Sequence, residues 1–186
     1  GLLDRSASGL GQSAFLGFFL PNPVGSTFLW RPINHTPNTN TLPVIHFSVV
    51  MQIVDSTTNQ FDDFGWQVYN RDGVPLFSLD FDNNDLGIYF RLDDAAGYVP
   101  TGQAFQNSLF YLLNVTMDFA RNRWSASLGD QPLVDELPIT TTGTSLTLGP
   151  ANATAHTDSA ATSLTSVPPA GGTPFTKTGG GTLVFT

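Results

Sequence analysis

Residues Leu109 to Leu128 read LFYLLNVTMDFARNRWSASL, and the reading of this stretch decides the fold. Leu109, Tyr111, Leu113, Val115, Met117 and Phe119 recur at every second position, with Asn114, Thr116 and Asp118 between them. Successive side chains of an extended chain point to opposite faces, so this alternation predicts a strand buried on one face. Ala120 to Arg123 interrupt it, and Trp124, Ala126 and Leu128 then alternate with Ser125 and Ser127. Two alternating runs around so short a polar break predict a hairpin, with Trp124 buried beside residues such as Leu113 or Met117.

The same period recurs upstream. After Pro43, Ile45, Phe47, Val49, Met51 and Ile53 alternate with His46, Ser48, Val50 and Gln52, which predicts a long central strand. Phe64, Trp66 and Val68 lead to the turn Asn70-Arg71-Asp72-Gly73, after which Phe77, Leu79 and Phe81 alternate again. An Asp-Gly turn between alternating runs is a hairpin signal. The turn Asp82 to Asp85 and the run Leu86, Ile88, Phe90, Leu92 extend it to a three-stranded meander, and Asp93 to Asn107 reads as a loop. Shorter strands are expected at Ser13 to Leu20, Thr27 to Arg31, Leu133 to Thr140 and Thr144 to Leu148. From Ala151 to Pro174 the composition turns to Ala, Thr, Ser, Gly and Pro, that of a linker, before KTGGGTLVFT (177–186) returns to a strand. The expected organisation is a β-sandwich domain over 1–150, then a low-complexity linker and a C-terminal strand over 151–186 that packs on its own or a neighbouring sheet. The expected fold class is all-β: an antiparallel β-sandwich of jelly-roll type with ~10 to 13 strands.

Composition agrees with that class. Fifteen Phe, 3 Trp and 4 Tyr supply a core, and 18 Gly and 13 Pro supply turns. Lys177 is the sole lysine and Glu136 the sole glutamate, so the exposed faces must be built from Thr, Ser, Asn, Gln and Asp. That surface predicts an extracellular or cell-surface setting. A net charge of −8 offers no basic stripe for phosphates, so no nucleic-acid partner is expected. The absence of cysteine rules out disulfides and thiolate metal sites. No run of about 18 apolar residues occurs, and Asp4, Arg5 and several Gly break the N-terminal stretch, so neither membrane insertion nor a signal peptide is expected there.

Two stretches resemble known families. GWQVYNRDGVPLFSLDF, LGIYFRL and YLLNVTMDFARNRWSASLGDQPLV, in that order, resemble the concanavalin A-like (laminin G-like) sandwiches over about residues 40 to 150. TKTGGGTLVFT resembles the start of the autotransporter-associated β-strand repeat, which implies a bacterial cell surface. A single copy cannot build a solenoid by itself.

Candidate sites follow from residue chemistry. The glucanases of the sandwich superfamily use closely spaced Glu and Asp on one strand, and glycosidic hydrolysis needs an acid and a base or nucleophile at a fixed separation. With one glutamate, in VDELP, that motif is missing, and the chain is expected not to be an enzyme. LDFDNND is the densest group of oxygen ligands; Asp82, Asn84 and Asp85 are the candidate calcium ligands, against the plainer reading of a solvated acidic turn. His35, His46 and His156 have no spacing that would converge them on zinc. Tyr69, Tyr89 and Tyr98 fall on the polar side of strands or in a loop, where flat aromatics beside Asn, Asp and Gln suit sugars; packing under loops is the competing reading. Leu183 and Phe185 alternate with Thr182, Val184 and Thr186, an apolar face for strand addition onto the same or another copy. Two functional expectations result. The first is a non-enzymatic structural or adhesive module of a bacterial surface, assembling by strand addition with copies of itself or other surface proteins. The alternative is a carbohydrate-binding, lectin-like domain assisted by calcium.

Overall fold

The computed structural model describes residues 2–4, 12–17, 26–33, 43–54, 63–148, 172–178 and 182–185, with side chains at 33, 43–54 and 63–148. Among the described residues there are thirteen strands and no helix. They are β1 (Leu2–Asp4), β2 (Gln12–Gly17), β3 (Ser26–Pro32), β4 (Val44–Val54), β5 (Asp63–Tyr69), β6 (Pro75–Asp82), β7 (Gly87–Leu92), β8 (Val99–Ala104), β9 (Phe110–Asp118), β10 (Arg123–Leu128), β11 (Gln131–Leu137), β12 (Gly172–Thr178) and β13 (Thr182–Phe185). The first sheet runs β1-β2-β13-β4-β9-β10-β11 and the second β3-β12-β5-β6-β7-β8. Their pairings are antiparallel, and the molecule is an antiparallel β-sandwich.

Alternation builds the core between the sheets. Met51, Ile53, Leu113, Val115, Met117, Trp124, Ala126 and Leu128 of the first sheet meet Phe64, Trp66, Val68, Phe77, Leu79, Phe81 and Ile88 of the second. The longest ladder among the described residues, β4 on β9, runs from Val44 opposite Asp118 to Gln52 opposite Phe110. In the hairpin, Trp124 stands opposite Met117 and is 1% exposed. The loop before it needs one left-handed residue, Asn122 at φ 53°, a conformation that asparagine tolerates well. In the β5–β6 turn the buried Asn70 accepts from the Asp72 and Val74 amides, both at 2.9 Å, and Gly73 takes φ 76°. A Cβ at Gly73 would meet nothing within 4 Å, so backbone conformation, not space, selects glycine there.

The structure departs from the sequence reading at four places. Leu109 lies before β9 and is 47% exposed, and Phe110 and Leu112 face outward from the same strand. The predicted 93–107 loop contains β8, VPTGQA, an edge strand. Its Pro100 and left-handed Gly102 suit an edge, where a missing amide or a kink breaks no inner ladder, and its polar composition hides the period. Residues 144–147 form no strand; the Asn70 amide donating to the Ser145 carbonyl (3.0 Å) and the Arg71 amide donating to the Thr147 carbonyl (2.6 Å) hold this segment instead. Finally, β12 begins at Gly172, inside the stretch with linker composition.

Candidate functional site

Inward-facing Trp66, Leu79 and Phe90 leave their neighbours on the outer face of the second sheet. Register arranges those neighbours in rows. Gly65, Asp80 and Tyr89 lie side by side across β5, β6 and β7, and Tyr89 continues to Pro100 of β8. Gln67, Ser78 and Arg91 form the next row, while Asp63 opposes Asp82 at the other side. The Arg91 guanidinium sits 5.1 Å from the centre of the Tyr98 ring, a cation–π contact that brings the β7–β8 connection over the same face. Tyr69 joins through its hydroxyl, which donates to Gln67 Oε1 at 2.6 Å. The tyrosines expected to bind ligand are thus gathered on one face, with a carboxamide, a guanidinium and carboxylates between them.

The electrostatics of this face centre on Asp80. Burial, reinforced by the negative charges of Asp63 and Asp82 and opposed by Arg91, raises its pKa to about 7. Near neutral pH its carboxyl therefore offers both a donor and acceptors, where an ordinary aspartate only accepts. Burial and the charge on Asp80 also raise the Tyr98 hydroxyl, with Arg91 and the Ser78 hydroxyl acting in the opposite sense. Tyr89 donates a short hydrogen bond to Asp85 Oδ2, which holds the tyrosine up and the carboxylate down. The sequence signal for the three aspartates was present only in part: Asp80 and Asp82 share a face by their spacing of two, but Asp63 joins them through the β5–β6 register.

The turn proposed to hold calcium uses its oxygens locally. Asp82 Oδ1 accepts from the Asn84 amide (2.7 Å), and Asp85 Oδ1 from the Gly87 amide (2.7 Å). Among the described residues no group of three or more His, Cys, Asp or Glu is set to hold a metal ion. His46 Nδ1 lies 3.0 Å from Thr116 Oγ1, whereas His35 and His156 fall outside the described residues. Leu183 stands opposite Leu16 and Ile53, and Phe185 opposite Ala14 and Met51, all in the same chain.

A second polar constellation escaped the sequence reading. Asp93, at the end of β7, gathers the 140–142 segment: its carboxylate accepts from the hydroxyls of Thr140, Thr141 (2.7 Å) and Thr142 (2.7 Å) and from the Thr141 amide (2.7 Å). Burial alone would raise this carboxyl, but those donors hold it well below the usual carboxylate range. Asn122 secures the same segment, donating to the Thr140 carbonyl at 2.9 Å and accepting from the Thr140 amide at 3.0 Å.

No protein-family model and no curated protein matches the chain. Among solved structures it is similar to a Trypanosoma rangeli sialidase in complex with 2,3-difluoro-KDN, at 13% identity and TM-score 0.39, over 76% of this chain and 20% of that one. The chain thus spans about a fifth of the sialidase's length. This finding corrects the expectation that the chain is not an enzyme: the solved structure is an enzyme, and the expectation is withdrawn. At that TM-score the likeness carries no argument for sialidase chemistry.

Proposed function

We propose that the chain is an extracellular adhesive β-sandwich module of a bacterial surface, of concanavalin A-like (laminin G-like) build, that holds glycans on the outer face of its second sheet. One observation carries this reading: Tyr69, Tyr89 and Tyr98 share that face with Gln67, Asp80 and Arg91. Sugars present apolar C–H faces edged with hydroxyls. A flat ring beside groups that donate and accept matches both parts. The carboxylates of Asp63 and Asp82, together with the net charge of −8, favour neutral sugars over uronates or sialates.

Titration of neutral oligosaccharides into the wild type and Tyr98→Ala tests the reading. Tyr98 is 47% exposed, so its removal leaves the core intact. Affinity should fall about 2- to 10-fold, the loss expected from one aromatic contact. Failure of every neutral glycan on an array to bind, or binding that ignores the Tyr98 change, overturns it.

A further inference from the structure

β12 and β13 are consecutive strands placed in different sheets. β12 lies between β3 and β5, and β13 between β2 and β4. Only residues 179–181, Gly-Gly-Gly, separate them, so the pair forms a wedge with one strand in each sheet. The wedge joins the N-terminal strands to the rest of the sandwich: the pairing of β3 is to β12, and β1–β2 reach β4 through β13. Without it, Met51 to Val54 and Asp63 to Trp66 would lose the backbone partners on one side, leaving β4 and β5 as open sheet edges. Met51, Ile53, Phe64 and Trp66 at those two edges are core residues, each at most 9% exposed. Open edges over a core are the features that recruit another strand.

Residues 149–171, rich in Ala, Thr, Ser and Pro, connect the wedge to Leu148. Fully extended, such a connector spans roughly 75 Å.

We propose that the β12–β13 wedge is exchangeable between copies of this chain, the wedge of one copy seating between β2 and β4 and between β3 and β5 of another. The contacts are the same in either arrangement, so the choice rests on concentration. A tether of 23 residues keeps its own wedge at an effective concentration on the order of millimolar. Exchange therefore takes over when copies are crowded to that level. Reciprocal exchange closes a dimer, and head-to-tail exchange builds an open fibre. This inference rests on backbone pairing and is independent of the glycan reading.

The chain has no cysteine, which permits a direct test. Val54 and Thr182 are opposite in the β4–β13 register. Residues so paired have Cα atoms about 4.5 to 5.5 Å apart, within disulfide range. Full-length Val54→Cys and Thr182→Cys chains, mixed in equal amounts at about 1 mM in total and then oxidised, should give a disulfide-linked heterodimer of about a quarter of the protein, because own and foreign wedges then compete equally and half of the foreign ones carry the Thr182→Cys change. A control mixture of Val54→Cys with Asp130→Cys, an exposed turn position, should give far less. A heterodimer no more abundant than in the control overturns the proposal. If the Val54→Cys/Thr182→Cys double variant then closes a bond within one chain, the wedge is fixed in its own copy; if it does not, the pairing itself is absent.

Discussion

The Trp124 indole stacks on the Phe77 ring at 4.0 Å between centroids and 16° between planes. Trp124 belongs to β10 of the first sheet and Phe77 to β6 of the second, so this contact joins the two layers. Phe90 of β7 meets the same indole edge-on at 6.4 Å. Trp124→Ala should destabilise the fold by about 3 to 5 kcal/mol, the range for emptying a fully buried aromatic site. Trp124→Phe should cost much less, because the indole Nε1 has no hydrogen-bond partner to lose. Urea unfolding of both variants measures the difference; equal losses would show that the ring contacts are not what holds the layers together.

Asp93 should act as an acid-sensitive clasp on the 140–142 segment. Its folded pKa lies below the ordinary 3.8, so the stability it contributes is complete above that value and is lost as pH falls through the folded pKa. Asp93→Asn replaces an acceptor oxygen with a donor facing other donors, at a cost on the order of 1 to 3 kcal/mol near neutral pH. The gap between wild type and variant should narrow as unfolding is followed from pH 6 down to about 2. A gap that does not change with pH would assign the effect to packing instead of charge.

Asp80 has the opposite sign. Its pKa is raised from 3.8 to about 7, so its protonated form suits the fold; the associated stability is complete below 3.8 and is lost as pH rises through about 7. Asp80→Asn, which keeps the shape without the charge, should match wild type near pH 4 and exceed it in melting temperature at pH 8. Coincident melting curves at pH 8 would mean that neither burial nor the charges of Asp63 and Asp82 disfavour the ionised form of this carboxyl.

Calcium offers a separate check on the Asp82 to Asp85 turn. Because Asp82 and Asp85 already accept from backbone amides, and Asp85 also from Tyr89, millimolar calcium should leave the melting midpoint unchanged. A ligand that binds only the native state raises that midpoint. A rise that is abolished in Asp85→Asn would assign calcium to this turn.

The sequence by itself determined the fold class, because in β-structure the pattern of burial is written locally: Leu113, Val115 and Met117, or Phe77, Leu79 and Phe81, mark their inner faces by alternation alone. It determined the two hairpins too, since Asn70-Arg71-Asp72-Gly73 and the break before Trp124 are short-range signals. Edge strand β8 left no such mark, being polar and interrupted by Pro100 and Gly102. Alternation says which residues share a face of one strand but not which strand lies beside it. That is why Tyr89 and Asp80 were legible as outward residues, while their adjacency, the approach of Asp63 and the placing of Tyr98 over Arg91 were decided by register in the tertiary structure. The Asp93 clasp spans 47 to 49 residues of sequence, and the β12–β13 wedge pairs with strands far earlier in the chain. Local pattern carries no information about contacts of that range; they arise only when both sheets close over one core.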